Sequence, residues 1–151
     1  MKYVMIIIQL QLVILFSSMT ESKGLQPLGY PLTVEVNNLR NAKGVVQFAL
    51  YNDEDSFPDE HYKKYYRKQT AKIINGRSEV TFKNLPTGKY AVNILHDENE
   101  DGKIKRGLIL PKEGVGFSNY DSIGLSNRPT FKKASFNLSG NKKIEVKIIY
   151  L

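Results

Sequence analysis

The chain has 151 residues, 22 Lys and Arg against 15 Asp and Glu, a formal net charge of +7, two His, no Cys and no Trp. That length suits one compact domain rather than two. The lack of cysteine excludes disulfides, thiolate nucleophiles, iron–sulfur clusters and cysteine-bound zinc, so any metal must be held by oxygen or imidazole.

Residues 1–22 start with Met1-Lys2, run through the apolar stretch Val4 to Phe16 and exit through Ser17-Ser18-Met19-Thr20-Glu21-Ser22. A positive start, an apolar run and a small-residue exit make a secretory signal peptide. The run is short for a membrane span, which needs about 20 apolar residues, and Gln9 and Gln11 interrupt it. The expectation is an exported protein of the periplasm or cell exterior with no membrane span after cleavage. Residues 23–31 form a lead-in segment, and residues 32–151 are expected to form a single β domain.

In chain order, Leu32 to Leu39 alternates apolar and polar residues, and Gly44 to Tyr51 follows after the polar turn Arg40 to Lys43. Period-two alternation predicts neighbouring strands of a half-buried antiparallel sheet. Gln69 to Ile74 and Ser78 to Phe82 flank Asn75-Gly76, a pair that tolerates positive φ and so marks a hairpin. Leu85-Pro86-Thr87-Gly88 is a second turn, after which Lys89 to His96 reads as a strand. Gly114 to Asn119 reads as a loop pinned over the sheet end by Phe117. Thr130 to Leu138 and Lys142 to Tyr150 make a last pair across Ser139-Gly140-Asn141. The predicted fold is all-β: a seven-stranded antiparallel β-sandwich, immunoglobulin-like or transthyretin-like, with one short helical crossover and a long loop.

Two stretches escape the strand pattern. In Asn52 to Lys68, Tyr62, Tyr65 and Tyr66 stand at i, i+3 and i+4, so a short helix would put all three on one face with Lys63, Lys64, Arg67 and Lys68 around them. Two readings are open: a crossover packed by its tyrosines, or a basic, aromatic surface for an anionic glycan, lipid headgroup or nucleic acid. Export makes nucleic acid the least fitting ligand. The second stretch is His96 to Ile104, where Asp97, Asn99, Asp101 and Gly102 match the start of a calcium loop and the Lys103 carbonyl follows at the seventh position. Alternate oxygen-bearing side chains converge on one point there, and the glycine allows the sharp turn. The twelfth position is Leu108 instead of a bidentate acid, with Lys105 and Arg106 before it, so calcium would bind weakly; Glu113 or Asp121 would complete the shell. The competing reading is an Asx-rich turn bonded to its own backbone.

The run Asn84 to Val92, leading into His96 to Asn99 and Asp101 to Ile104, resembles the bacterial domain of unknown function family 2141. The similarity continues through Pro111 to Gly114, Gly116 to Asn119 and Pro129 to Phe136, and covers roughly residues 32–151. The resemblance implies an exported, small β-sandwich and, the family being uncharacterised, no established catalytic activity. It also implies that Lys105-Arg106 stands where members often carry a further Asp.

Three functions follow as expectations. The first is a non-catalytic envelope protein or binding module, with a weakly calcium-ordered loop presenting a surface to a glycan, peptide or partner protein. The second is a metal-free structural or interaction domain. The third is a hydrolase-type enzyme using His96 beside Asp97, or His61 among Asp59 and Glu60. No recognised nucleophile–base–acid arrangement supports the third.

Overall fold

The computed structural model describes residues 29–59, 61–104 and 112–151. The leader and most of the lead-in, like Lys105, Arg106 and Leu108, lie outside the described residues. Among those described, no helix is long and apolar enough to cross a membrane.

The protein is mostly β, with eight strands in two packed sheets among the described residues. β1 (Tyr30–Val36), β4 (Ser78–Leu85) and β8 (Lys142–Glu145) form one sheet in the order β4-β1-β8. The second sheet runs β3-β2-β5-β6, from β2 (Val45–Tyr51), β3 (Arg67–Ala71), β5 (Gly88–Asp97) and β6 (Gly114–Phe117). β7 (Phe136–Leu138) pairs with the start of β5, following a four-residue helix α1 (Phe131–Ala134). The fold departs from the expected one in strand number and in pairing, since β8 runs parallel to β1.

Alternation places Leu32, Val34 and Val36 of β1 and Val80 and Phe82 of β4 inward, and a register shift at Asn84, with φ of 54°, brings Leu85 inward as well. They meet Val46, Phe48 and Leu50 of β2 and Tyr90, Val92 and Ile94 of β5. The other face of the second sheet is covered too. Ala49 and Tyr51 of β2, Ala91 and Leu95 of β5, and Val115 and Phe117 of β6 pack with Phe57, Tyr62, Tyr120 and Ala134 from the connecting segments. β2 and β5 are therefore buried on both faces, which explains why their alternation is weaker than that of β1.

Several local expectations held while their pairings did not. Asn75 and Gly76 turn with φ of 51° and 72°, and Ile74 and Arg77 exchange both backbone hydrogen bonds at 2.8 and 3.0 Å. Beyond that bridge the strands part, β3 joining β2 and β4 joining β1. β1 and β2 likewise lie in different sheets, and so do β7 and β8. Thr130 to Leu138 is split into α1 and β7, which pairs with β5 rather than with Lys142 to Tyr150.

Gly114 to Phe117 is a strand and not a loop. A Cβ at Gly116 would lie 2.4 Å from the Lys147 carbonyl oxygen, and one at Gly114 would lie 2.4 Å from the Tyr150 ring. The glycines let the C-terminal segment cross β6 closely, where Ile149 and Val115 exchange hydrogen bonds at 2.9 and 2.8 Å. The opposite edge is closed by side chains. Gln69 Nε2 and Arg67 Nη1 of β3 donate to the Thr81 and Lys83 carbonyls of β4 at 3.2 and 2.6 Å.

Gly116→Ala is expected to cost about 1–3 kcal/mol by overpacking, read as a lowered urea midpoint. Gly124→Ala, where nothing lies within 4 Å of the added Cβ, should cost less. Equal midpoints for the two variants would contradict the close crossing.

Candidate functional site

The segment expected as a helical crossover has a different local structure. Glu54–Ser56 forms a single 3-10 turn capped by Asp53, and the chain then bends through Asp59 to Tyr66. Asp59, buried to 7% exposure, accepts the backbone N–H of His61 at 3.1 Å and also those of Lys63 and Lys64. One carboxylate thus fixes three amides of a tight loop. Tyr62 sits in that loop at φ 51°, and its ring is buried rather than displayed. Its hydroxyl donates to Asn93 Oδ1 at 2.9 Å, and burial pushes its pKa well above the usual tyrosine value.

Tyr62 therefore belongs to the core and not to a ligand surface. The i, i+3, i+4 spacing is irrelevant once the backbone is not helical. Tyr65 and Tyr66 are exposed, at 38% and 39%. The Lys68 ammonium lies 5.2 Å from the Tyr65 ring centroid, and the Arg67 guanidinium 5.5 Å from that of Tyr66. Arg67 is occupied by the Lys83 and Asn84 carbonyls. The exposed cations of the strip are thus Lys63, Lys64 and Lys68. Beneath the strip, the Tyr51 hydroxyl is buried without a hydrogen-bond partner among the described residues; burial, then the nearby Asp59 charge, raises its pKa.

The Asx-rich loop lies at the other end of β5. Asp97, buried to 2% exposure, accepts Asp101 N–H at 3.2 Å on Oδ1 and Gly102 N–H at 2.8 Å on Oδ2. Gln47 Nε2 of β2 donates to Oδ2 at 3.1 Å. Asn99 Nδ2 donates to Asp101 Oδ2 at 2.9 Å, and Asp101 Oδ1 accepts Lys103 N–H at 2.9 Å. Asp97, Asn99 and Asp101 are brought together by bonds to their own loop. Glu113, which precedes β6, is also brought there and accepts Glu98 N–H at 3.2 Å. Asp121 is not, because it follows Phe117, which pairs with Asn93 near the middle of β5. Among the described residues no three His, Asp or Glu side chains are grouped so as to hold a metal ion.

His96 is fully buried, with Nε2 3.0 Å from the Lys43 carbonyl and Nδ1 2.7 Å from the Tyr150 hydroxyl. A carbonyl can only accept, so Nε2 carries the proton and Nδ1 accepts from Tyr150. The hydroxyl in turn accepts Arg40 N–H at 3.2 Å. Both imidazole nitrogens are thus committed to the fold. No local pattern of residues marks the clasp beside it. Arg40 Nε and Nη2 grip the Glu98 carboxylate at 2.7 and 2.8 Å, and the guanidinium stacks 4.5 Å from the Tyr150 ring centroid. These residues are far apart in the chain, and only the meeting of the β1–β2 loop, the end of β5 and the C-terminal segment joins them.

A family model described as "Uncharacterized protein conserved in bacteria (DUF2141)" matches residues 34–147. The chain belongs to that family. No curated protein matches the sequence. Among solved structures the chain is similar to a fimbrial assembly protein from Parabacteroides distasonis, at 8% identity and a TM-score of 0.35, over 81% of this chain and 53% of that one. The chain spans about half the length of that structure, and so distant a likeness carries no argument about fold or function.

The Arg40 hydrogen bond holds the Glu98 carboxyl down at about 2, against an ordinary 4.5. A folded-state value below the unfolded one stabilises fully above the unfolded pKa and is lost as pH falls through the folded one. Acid unfolding followed by tyrosine fluorescence should therefore show stability falling from about pH 5 toward pH 2, with a shallower slope in Glu98→Gln. An unchanged slope in that variant would remove the clasp from the acid response.

Proposed function

We propose that this DUF2141 protein is a non-catalytic binding module of the cell envelope, and that the strip Lys63, Lys64, Tyr65, Tyr66 and Lys68 binds an anionic glycan. The observation carrying this reading is the rigidity with which two tyrosines are kept outside. Asp59 fixes the loop backbone and Tyr62 anchors it in the core, while Tyr65 and Tyr66 stay exposed beside cations. Preorganised aromatic rings offer stacking area at low entropic cost, and the lysines supply charge complementarity to carboxylate or sulfate groups. The leader read in residues 1–22 supports an extracytoplasmic ligand over nucleic acid.

Calorimetric titration with polygalacturonate, with dextran as the neutral control, tests the reading. Tyr65→Ala/Tyr66→Ala and Lys63→Ala/Lys64→Ala/Lys68→Ala should each weaken acidic-glycan binding by about tenfold or more, the range expected of cation and ring contacts. Unchanged binding in both variants would make the strip an ordinary solvated face and leave a structural or interaction domain as the function.

A second reading concerns the Asp97 loop, proposed as a weak calcium site apart from the strip. It is favoured by the way Asp97 takes the amides of the fifth and sixth loop positions while the Asn99 and Asp101 side chains meet. At about ten times its dissociation constant, calcium would add about 1.4 kcal/mol of stability. The melting temperature should rise with calcium, return with chelator, and stay flat in Asp101→Ala. No rise in the unmutated protein would make the loop a purely Asx-bonded connector.

A further inference from the structure

The end of the protein that holds the Asp97 loop also carries an open cleft of about 550 Å³, lined by Arg40, Lys43, Lys112, Asn99, Glu98 and Glu113 among others. Tyr90, beside Tyr66, and Asp97, beside this cleft, stand seven residues apart on β5. At about 3.3 Å per residue that separates cleft and strip by roughly 23 Å, so the two are distinct sites.

The charges of the lining sort into used and unused. Arg40 spends Nε and one N–H of Nη2 on Glu98, and the other N–H of Nη2 on the Lys112 carbonyl at 3.0 Å. Its guanidinium is held flat by Tyr150. A guanidinium has five N–H donors, and the two on Nη1 carry no hydrogen bond among the described residues. Glu98 is spent on Arg40 and on Asn41 Nδ2 at 2.8 Å. Glu113, at 2% exposure, accepts the Glu98 amide, and its charge also acts on Arg40. Lys43 and Lys112 are exposed and have no ion pair among the described residues.

The backbone under those lysines is fixed. The Lys43 carbonyl is held by His96, and its N–H donates to Asn41 Oδ1 at 2.9 Å. The Lys112 carbonyl is held by Arg40. Among the described residues, two ammonium groups without an ion pair thus flank a cleft whose third cation is locked in place with Nη1 carrying no hydrogen bond.

We propose that this cleft binds a single small oxyanion group, a carboxylate or a phosphate, between the Lys43 and Lys112 ammonium groups and the Arg40 Nη1 donors. A guanidinium fork and point-charge ammoniums both suit planar carboxylate and tetrahedral phosphate, so the chemistry is shared and the source is decided by measurement. The cleft has room for a group the size of one sugar acid or sugar phosphate. The clasp gives it a rigid wall, since moving Arg40 would break three hydrogen bonds and a ring stack at once.

The test is an amide and arginine side-chain NMR titration of the full chain in low salt, with sodium glucuronate, glycerol 3-phosphate and glucose as probes. Saturable shifts at Lys43, Lys112 and the Arg40 Nε–H with one or both anions, and none with glucose, are expected. Lys43→Ala and Lys112→Ala, both at exposed positions outside the clasp, should each weaken binding by about tenfold, and the double variant should abolish it. Tyr65→Ala/Tyr66→Ala should leave it unchanged. Preference for glucuronate assigns a carboxylate source, and preference for glycerol 3-phosphate a phosphate source. Absence of saturable shifts with either anion, equal shifts with glucose, or undiminished affinity in a double variant with a native-like spectrum would overturn the proposal.

Discussion

Because β2 and β5 are covered on both faces, the side chains from Val46 to Leu50 and from Tyr90 to Asp97 are apolar or find a partner inside, and among the described residues only the Tyr51 hydroxyl is buried without one. The partners are specific. Gln47 donates to Asp97, Asn93 accepts from Tyr62, and His96 joins the Lys43 carbonyl to the Tyr150 hydroxyl. The Asn93 and His96 bonds tie β5 to connecting segments, and the Gln47 bond ties β2 to Asp97, the residue that gathers the Asx-rich loop. The double burial of one strand pair therefore organises the loops as well as the core, and both candidate sites are built from those loops.

The polar anchors divide between the two ends of the protein. At one end, Asn93 and Asp59 hold the segment that displays Tyr65 and Tyr66. At the other, Asp97 gathers the Asx-rich loop while Arg40 and Tyr150 draw the β1–β2 loop and the C-terminal segment over it. Acids and bases that look like separate runs in the sequence become structural caps in one case and cleft lining in another. Net charge alone cannot distinguish those roles, because what a charged side chain offers a ligand depends on what the fold has already spent it on. Arg67 and Arg40 are both largely spent; Lys63, Lys64, Lys43 and Lys112 are not.

Sheet edges follow the same logic. Nothing covalent staples this cysteine-free chain, and the outer strands β4, β8, β3 and β6 of its three-stranded and five-stranded sheets present edges. One side is bridged by the Ile149–Val115 pair, and the other by Gln69 and Arg67 reaching across to the carbonyls of β4. The cores contribute most of the stabilisation, and these cross-sheet bonds hold the two sheets in register at their margins.

The amino-acid sequence by itself determined the β class, the family, the Asn75-Gly76 turn, the strand from Lys89 to His96 and the presence of an Asx-rich loop after it. All of these rest on alternation or on short-range turn chemistry, which a few neighbouring residues specify. Tertiary structure alone decided that consecutive strands part into different sheets, that β8 runs parallel to β1, and that Gly114 to Phe117 pairs as a strand because a distant segment needs to cross it. It also decided that Tyr62 goes in while Tyr65 and Tyr66 stay out, and that Arg40, Glu98 and Tyr150 meet. Each of these depends on contacts between residues far apart in the chain, and a local pattern shows which face a residue prefers without showing what will cover it.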